Sequence, residues 1–242
     1  MEIQCRDVRK RYDSGFELEV RHLDVTAGER VGVVGNNGAG KTTLLHLLLG
    51  LRSMQRGAIL LDGESVGTFS LSWRSRTSSY LGESCLLPYL NPWEFWQFVG
   101  DAYGLKRTER IRRLREYESF VELAVGRGRD KKYLRDYSQG NRKKIGLVAA
   151  MMVRPRLLVL DEPFTSLDPR SRSALEDGLL ALNAEHGTTL FISSNDLAPV
   201  VQVSGRMLMI DRGRIVHDGA SGPATLRFMR ERLTGRQSRS TD

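Results

Sequence analysis

Residues 35–43 read Gly-Asn-Asn-Gly-Ala-Gly-Lys-Thr-Thr and fill the phosphate-binding pattern G-x-x-x-x-G-K-[ST] with Gly35, Gly40, Lys41 and Thr42. These residue types suit one chemistry. The glycines let the backbone curl, so that the N–H groups of Gly35, Asn36, Asn37, Gly38, Ala39, Gly40, Lys41, Thr42 and Thr43 can face a single anion. A helix starting there adds about half a positive charge at its N-terminus. Lys41 is then placed to reach the β- and γ-phosphates of a nucleotide, and Thr42 to hold Mg²⁺. A second group lies downstream, where Leu157-Leu158-Val159-Leu160 runs into Asp161-Glu162. An apolar strand ending in two carboxylates can present Asp161 to Mg²⁺, directly or through water, and Glu162 to an attacking water. Ser166-Leu167-Asp168 follows it, and Tyr137-Ser138-Gln139-Gly140-Asn141 precedes it. Ser138 is a good N-cap, so the helix of residues 139–153 offers a second helix end for an anion.

These groups need elements to hold them. Arg30-Val31-Gly32-Val33-Val34 is a short strand before the glycine loop, and the leucine-rich residues 43–49 form a helix after it. Residues 3–12 and 16–25, with Asp13-Ser14-Gly15 between them, read as an N-terminal hairpin. Residues 57–63 form a strand closed by Asp62-Gly63, and residues 78–81 another. From Pro88 to about residue 136 the apolar spacing turns helical, through Trp93, Phe95, Trp96, Phe98 and Val99 and then Ile111, Leu114, Tyr117, Phe120, Val121 and Leu123. With the helix that follows, this makes a helical subdomain of about residues 88–153 inserted into the chain. Strands at 156–160, 188–193, 206–210 and 214–217, with a helix near 170–184, restore the alternation that implies an α/β fold with a mostly parallel sheet. The domain is expected over residues 1–226, and residues 227–242 as a basic, frayed tail.

The 242 residues, 40% hydrophobic, suffice for one large domain with a subdomain. Cys5 and Cys85 are the only cysteines, and with four scattered histidines they give no disulfide framework or metal-ligand spacing. No apolar run approaches the ~18 residues that cross a bilayer, and the first residues are already polar, so a soluble cytosolic chain is expected. Lysine and arginine number 37 against 29 acids, a net charge of +8. The basic residues cluster at 107–115, 127–135 and 227–239 with only Tyr133 and Phe228 as aromatics among them, which fits a solvated or membrane-proximal face better than nucleic-acid binding.

The order of these motifs resembles the nucleotide-binding domain of ATP-binding cassette (ABC) proteins, from Ile3 to about Gly219. By that likeness residues 35–43 match Walker A, residues 157–162 Walker B and residues 166–168 the D-loop of a P-loop NTPase core, with an antiparallel N-terminal β subdomain and the helical insert. Tyr137-Ser138-Gln139-Gly140-Asn141 matches the signature LSGGQ, keeping Ser138 and Gly140 and departing at Gln139 and Asn141. Tyr12 falls where the family stacks an aromatic on adenine. Glu83 stands at the usual Q-loop glutamine, where a carboxylate could approach Mg²⁺ or the water. Asn195 stands at the usual switch histidine; its amide can donate to the γ-phosphate but carries no charge, so slowed hydrolysis is expected. Asn195 could equally cap the helix that follows it.

The resemblance implies an ATP- and Mg²⁺-dependent ATPase subunit, peripheral on the cytoplasmic face of the membrane. It would pair head to tail with a second cassette, as homodimer or heterodimer, with Ser138 and Gly140 capping the partner's nucleotide, and drive a separate integral membrane permease. Residues 86–98 would help line the groove for the permease, with Trp93, Phe95 and Trp96 mainly serving the subdomain core. The long helical insert and the signature suggest an exporter. The alternatives are an ATP-gated binding module with little hydrolysis and a non-transport ABC protein acting on ribosome or DNA.

Overall fold

The computed structural model describes residues 1–67, 72–126 and 132–234. The chain opens with a hairpin of β1 (Ile3–Arg11) and β2 (Glu17–Val25), paired from Ile3 opposite Val25 to Arg11 opposite Glu17. Then come β3 (Arg30–Val34), α1 (Lys41–Leu48), β4 (Arg56–Leu61), β5 (Glu64–Ser65) and β6 (Thr77–Tyr80). Asp62 and Gly63 both take positive φ and join β4 to β5, the two-residue turn that an Asp-Gly pair favours. Four helices follow, α2 (Pro92–Ala102), α3 (Arg107–Glu116), α4 (Glu118–Val125) and α5 (Gln139–Met152). The chain then alternates through β7 (Leu157–Asp161), α6 (Pro169–His186), β8 (Thr189–Ser194), α7 (Leu197–Val203), β9 (Arg206–Asp211), β10 (Arg214–Ala220) and α8 (Pro223–Thr234).

Among the described residues the strands form a single sheet in the order β5-β4-β1-β2-β10-β9-β3-β8-β7-β6. The block β9-β3-β8-β7-β6 is parallel, and β5-β4-β1-β2 is antiparallel. They meet at β10, which runs antiparallel to β9 and touches β2 through one pair, Arg214 and Glu19. The expected antiparallel subdomain and parallel core are therefore two halves of one sheet.

Both faces of the parallel half are covered, which is why its inner strands β3, β8 and β7 are mostly apolar. Leu157, Val159 and Phe191 point with α1 and the hairpin into one core. Leu158, Leu160, Leu190 and Ile192 point with α5 and α6 into the other. That second core takes in the helical insert through Phe95, Trp96 and Phe120. Trp96 is fully buried and its Nε1 donates to the Ile145 carbonyl at 3.0 Å, while Trp93 meets it edge-on at 5.0 Å. Phe95 and Trp96 are core residues, as expected, whereas Phe98 stands exposed with Leu87, Tyr89 and Tyr133.

Helix starts follow local chemistry. Asn91 and Glu94 form a capping box around Pro92 at the head of α2, and Ser138 caps α5 by accepting from the Asn141 N–H at 3.4 Å. Residues 227–234, expected to be part of a frayed tail, are instead helical. Residues 223–234 form α8, whose Met229 is buried and whose Phe228 ring lies 5.1 Å from that of His217, so apolar anchoring overrides the polar composition. Residues 235–242, and 127–131 of the central basic cluster, lie outside the described residues.

Candidate functional site

β3 ends at the sheet's C-terminal edge, and residues 35–40 fold back before α1. Gly35 passes so close to β9 that a Cβ there would lie 2.3 Å from the Ile210 carbonyl oxygen. Gly40, the N-cap of α1, has φ 115°, a left-handed conformation that glycine holds without strain. The loop and the first turn of α1 floor a cleft of about 460 Å³. Tyr12, Ser14 and Phe16 form one wall, with Glu162 and Asn195 also lining it. The Tyr12 and Phe16 rings lie 6.2 Å apart, tilted, beside the glycine loop.

Lys41 is buried at the centre. Its Nζ donates to the carbonyls of Gly35 at 2.8 Å and Asn36 at 3.4 Å and to Asn195 Oδ1 at 2.6 Å, and lies 3.7 Å from Glu162 Oε1. Burial lowers the Lys41 pKa from the ordinary lysine value, against the raising pull of Glu162 and Asp161. Thr42 Oγ1 donates to Asp161 Oδ2 at 2.7 Å, and Ser193 Oγ donates to the other Asp161 oxygen. The Glu162 N–H is held by the Ser193 carbonyl at 3.2 Å and hydroxyl at 3.1 Å, and Thr165 Oγ1 donates to Glu162 Oε2 at 3.2 Å. Glu162 Oε1 is buried without a hydrogen-bond partner.

The arrangement fits a nucleotide with a hard divalent cation. The cation would find a hydroxyl and a carboxylate already paired, the oxygen donors that Mg²⁺ prefers. A phosphate chain would find backbone amides, a helix end and one buried ammonium. An orphaned carboxylate oxygen beside that ammonium is an acceptor open to a water.

The structure thus gathers Tyr12, residues 35–43, Asp161, Glu162 and Asn195 into one place. One of the sequence expectations is corrected. Asn195 does not cap α7; Asp196 does, accepting from the Ala198 N–H at 3.0 Å, because the Asn195 side chain is turned to Lys41. Glu83 does not line the cleft; Arg142 of α5 holds its Oε2 at 2.8 Å, while its Oε1 is buried without a hydrogen-bond partner. A carboxylate near a phosphate site is unfavourable unless neutralised, and the guanidinium supplies that charge. Ser138 and Gly140 do not line the cleft either; they sit at the N-terminus of α5, near the loop 162–168, where a Gly140 Cβ would lie 3.2 Å from the Ser166 carbonyl oxygen. Sequence reasoning missed Ser193, which braces both carboxylate residues, and Arg142 and Lys143. No local spacing marks these three, since each acts on a segment remote in sequence.

A family model described as ABC transporter matches residues 18–165. An uncharacterized ABC transporter ATP-binding protein of Nostoc sp. is 34% identical over 226 residues, 90% of this chain and 66% of that protein. A sulfate/thiosulfate import ATP-binding protein of Bacillus cereus is 32% identical over 225 residues, 90% of this chain and 61% of that protein. The chain therefore spans less than two thirds of the length of these relatives. Other relatives carry the names of Fe(3+) and methionine import ATP-binding proteins, and one that of a linearmycin resistance ATP-binding protein. Among solved structures, an ATP-binding subunit of an ABC transporter superposes with a TM-score of 0.83 at 24% identity, covering 99% of this chain and all of that one. A dimeric ATP-binding cassette in a post-hydrolysis state with ADP and Pi superposes with a TM-score of 0.78 at 19% identity, covering 91% of this chain and 99% of that one.

Proposed function

The chain belongs to the ABC transporter family, and from that premise we propose that it is the ATP-binding and ATP-hydrolysing subunit of a transporter. It works as a dimer with a second cassette on the cytoplasmic face of the membrane and drives a separate permease. The observation that carries this reading is the convergence of Lys41, Glu162, Asn195 and the Thr42–Asp161 pair on one cleft. The dimeric cassette among the structural neighbours supports the pairing, with Ser138 and Gly140 left free of the chain's own cleft to serve the partner's nucleotide. No helix among the described residues is long and apolar enough to cross a membrane. The exposed Leu87, Tyr89 and Phe98, with Arg135 lying over the Tyr89 and Tyr133 rings, offer a face for the permease. The exporter direction is not retained, because the relatives with named roles are mostly import proteins. Substrate contacts belong to the membrane chains, so a cassette carries little trace of direction.

In this reading Tyr12 packs on the adenine, the amides of residues 35–43 and Lys41 hold the phosphates, and Thr42 and Asp161 hold Mg²⁺. Mg²⁺ bound there would offset charge on the phosphate oxygens. Glu162 Oε1 accepts a hydrogen bond from the attacking water and takes its proton as the water oxygen bonds to the γ-phosphorus. The bond from that phosphorus to the bridging oxygen breaks, and ADP and phosphate leave. Asn195 donates its amide N–H to the γ-phosphate, since its oxygen already accepts from Lys41.

The uncharged Asn195 also favours a second reading, an ATP-gated module that hydrolyses slowly. Steady-state ATPase assays on the wild type and Asn195→His separate the two. We expect kcat to rise with histidine, by up to ~10², because a donor able to carry charge is restored beside the γ-phosphate. An unchanged kcat in a wild type already near ~10 s⁻¹ would assign the amide the full role. A slow wild type that stays slow with histidine would favour the gated module.

A further inference from the structure

Glu162 is held in a conformation its own side chain does not favour. Its φ is 49°, in the left-handed region, where a residue with a Cβ persists only when its surroundings over-determine it. One of those surroundings is an ammonium from another element. Lys143, in the second turn of α5, donates from Nζ to the Glu162 carbonyl and to the Thr165 carbonyl, each at 2.8 Å. The Thr165 N–H in turn reaches the Glu162 carbonyl at 3.4 Å and its hydroxyl reaches Glu162 Oε2. The amine therefore closes the turn 162–165 from outside, and that turn carries the carboxylate oxygen facing the cleft.

The amine is costly to keep there. Lys143 is buried, and burial lowers its pKa despite the opposing pull of Glu162, Glu83 and Asp161. A methionine would fill the same space without desolvating a charge. Lys144 grips the far side of the same region, donating to the Leu123 carbonyl at 2.5 Å and lying 3.4 Å from Ser171 Oγ. Ser171 is itself held by Asp168 at the end of the loop.

We propose that Lys143 is a positioning residue for hydrolysis: it sets the Glu162 carboxylate through the backbone, and so links the α5 end bearing Ser138 and Gly140 to the same chain's own catalytic carboxylate. This rests on the hydrolytic reading given above. The consequence is communication between two nucleotide sites. When the N-terminus of α5 engages the partner's nucleotide, the two hydrogen bonds from Lys143 carry any displacement of that helix to Glu162, which serves the other nucleotide. Lys143 touches neither ATP nor the water in this arrangement; it acts through Glu162.

The test uses the full chain as wild type, Lys143→Met and Lys143→Arg. Methionine keeps the apolar stem and loses the donor; arginine keeps a charged donor. We expect Lys143→Met to lower kcat by ~10- to 10²-fold, the scale of a misplaced catalytic group, with KM for ATP and fluorescent-ATP affinity unchanged. Arginine should recover most of the rate. Hydrogen exchange at the Thr165 amide, read without nucleotide, should quicken in the methionine variant and not in the arginine one. An unchanged kcat in Lys143→Met overturns the proposal. So does a loss of kcat and ATP affinity together with a lower Tm and no recovery by arginine, which would make the lysine merely structural. A wild type that binds ATP but never turns it over overturns the hydrolytic reading itself, and is told apart from failure of the link because the exchange measurement does not depend on turnover.

Discussion

Glu162→Gln should bind Mg-ATP as the wild type does and fail to turn it over. The glutamate backbone is fixed by the Ser193 carbonyl and hydroxyl and by Lys143, all bonded to main-chain atoms that glutamine keeps. The side-chain oxygen that accepts from Thr165 can be matched by the amide oxygen. That leaves the amide nitrogen where Glu162 Oε1 now stands, and a nitrogen with two protons cannot accept one from water. Losing a general base of this kind costs ~10² to 10⁴ in rate. Binding should hold or tighten, because Lys41 loses a counter-charge 3.7 Å away and turns its full charge to the phosphates. Steady-state ATPase measurements read the first effect. Sizing chromatography with ATP reads its consequence, a dimer that accumulates because the nucleotide closing it is no longer destroyed. Hydrolysis at the wild-type rate would show that another group activates the water.

What the sequence makes legible here is whatever is local in the chain. The loop 35–43, its flanking strand and helix, the apolar run into Asp161 and Glu162, the Ser138 cap and the Asp62-Gly63 turn all follow from neighbours a few residues apart. These contacts form wherever the chain goes next, so reading them needs no knowledge of the fold. What escapes such a reading involves partners remote in sequence. Nothing near Glu83 in the sequence announces the Arg142 guanidinium that the sheet and α5 bring against it. Asn195 is as good a cap as Asp196 by type, and only the approach of Lys41 decides which of the two turns inward. Ser193 and Lys143 look like an ordinary strand serine and a solvated helix lysine; tertiary packing makes one a brace for Asp161 and the other a buried donor. The start of α8 was hidden for the same reason. Its polar face reads as a tail, and Met229 becomes an anchor only once the sheet is there to receive it.

Lys41→Ala should remove tight ATP binding while leaving a folded protein. Without nucleotide the ammonium is already desolvated and poised, held by two loop carbonyls and Asn195 Oδ1 with two carboxylates near. Phosphate oxygens entering the cleft would take over an ammonium whose dehydration has been met during folding, so the charge acts there with little reorganisation. Truncating one partner of such a buried charged contact costs roughly 2–5 kcal/mol, which raises Kd by about 30- to 5,000-fold. The helix end and the loop amides keep some phosphate affinity, so residual weak binding is expected. Arginine is a useful companion: Lys41→Arg keeps the charge, but its planar fork does not fit among the Gly35 and Asn36 carbonyls and Asn195 as a compact ammonium does. It should therefore lose affinity too, though less than alanine. Fluorescent-nucleotide titration gives both values, and thermal unfolding without nucleotide checks that the fold survives. Near wild-type affinity in Lys41→Ala, with the fold intact, would falsify the assignment of this loop to the phosphates, because no other ammonium among the described residues lines the cleft.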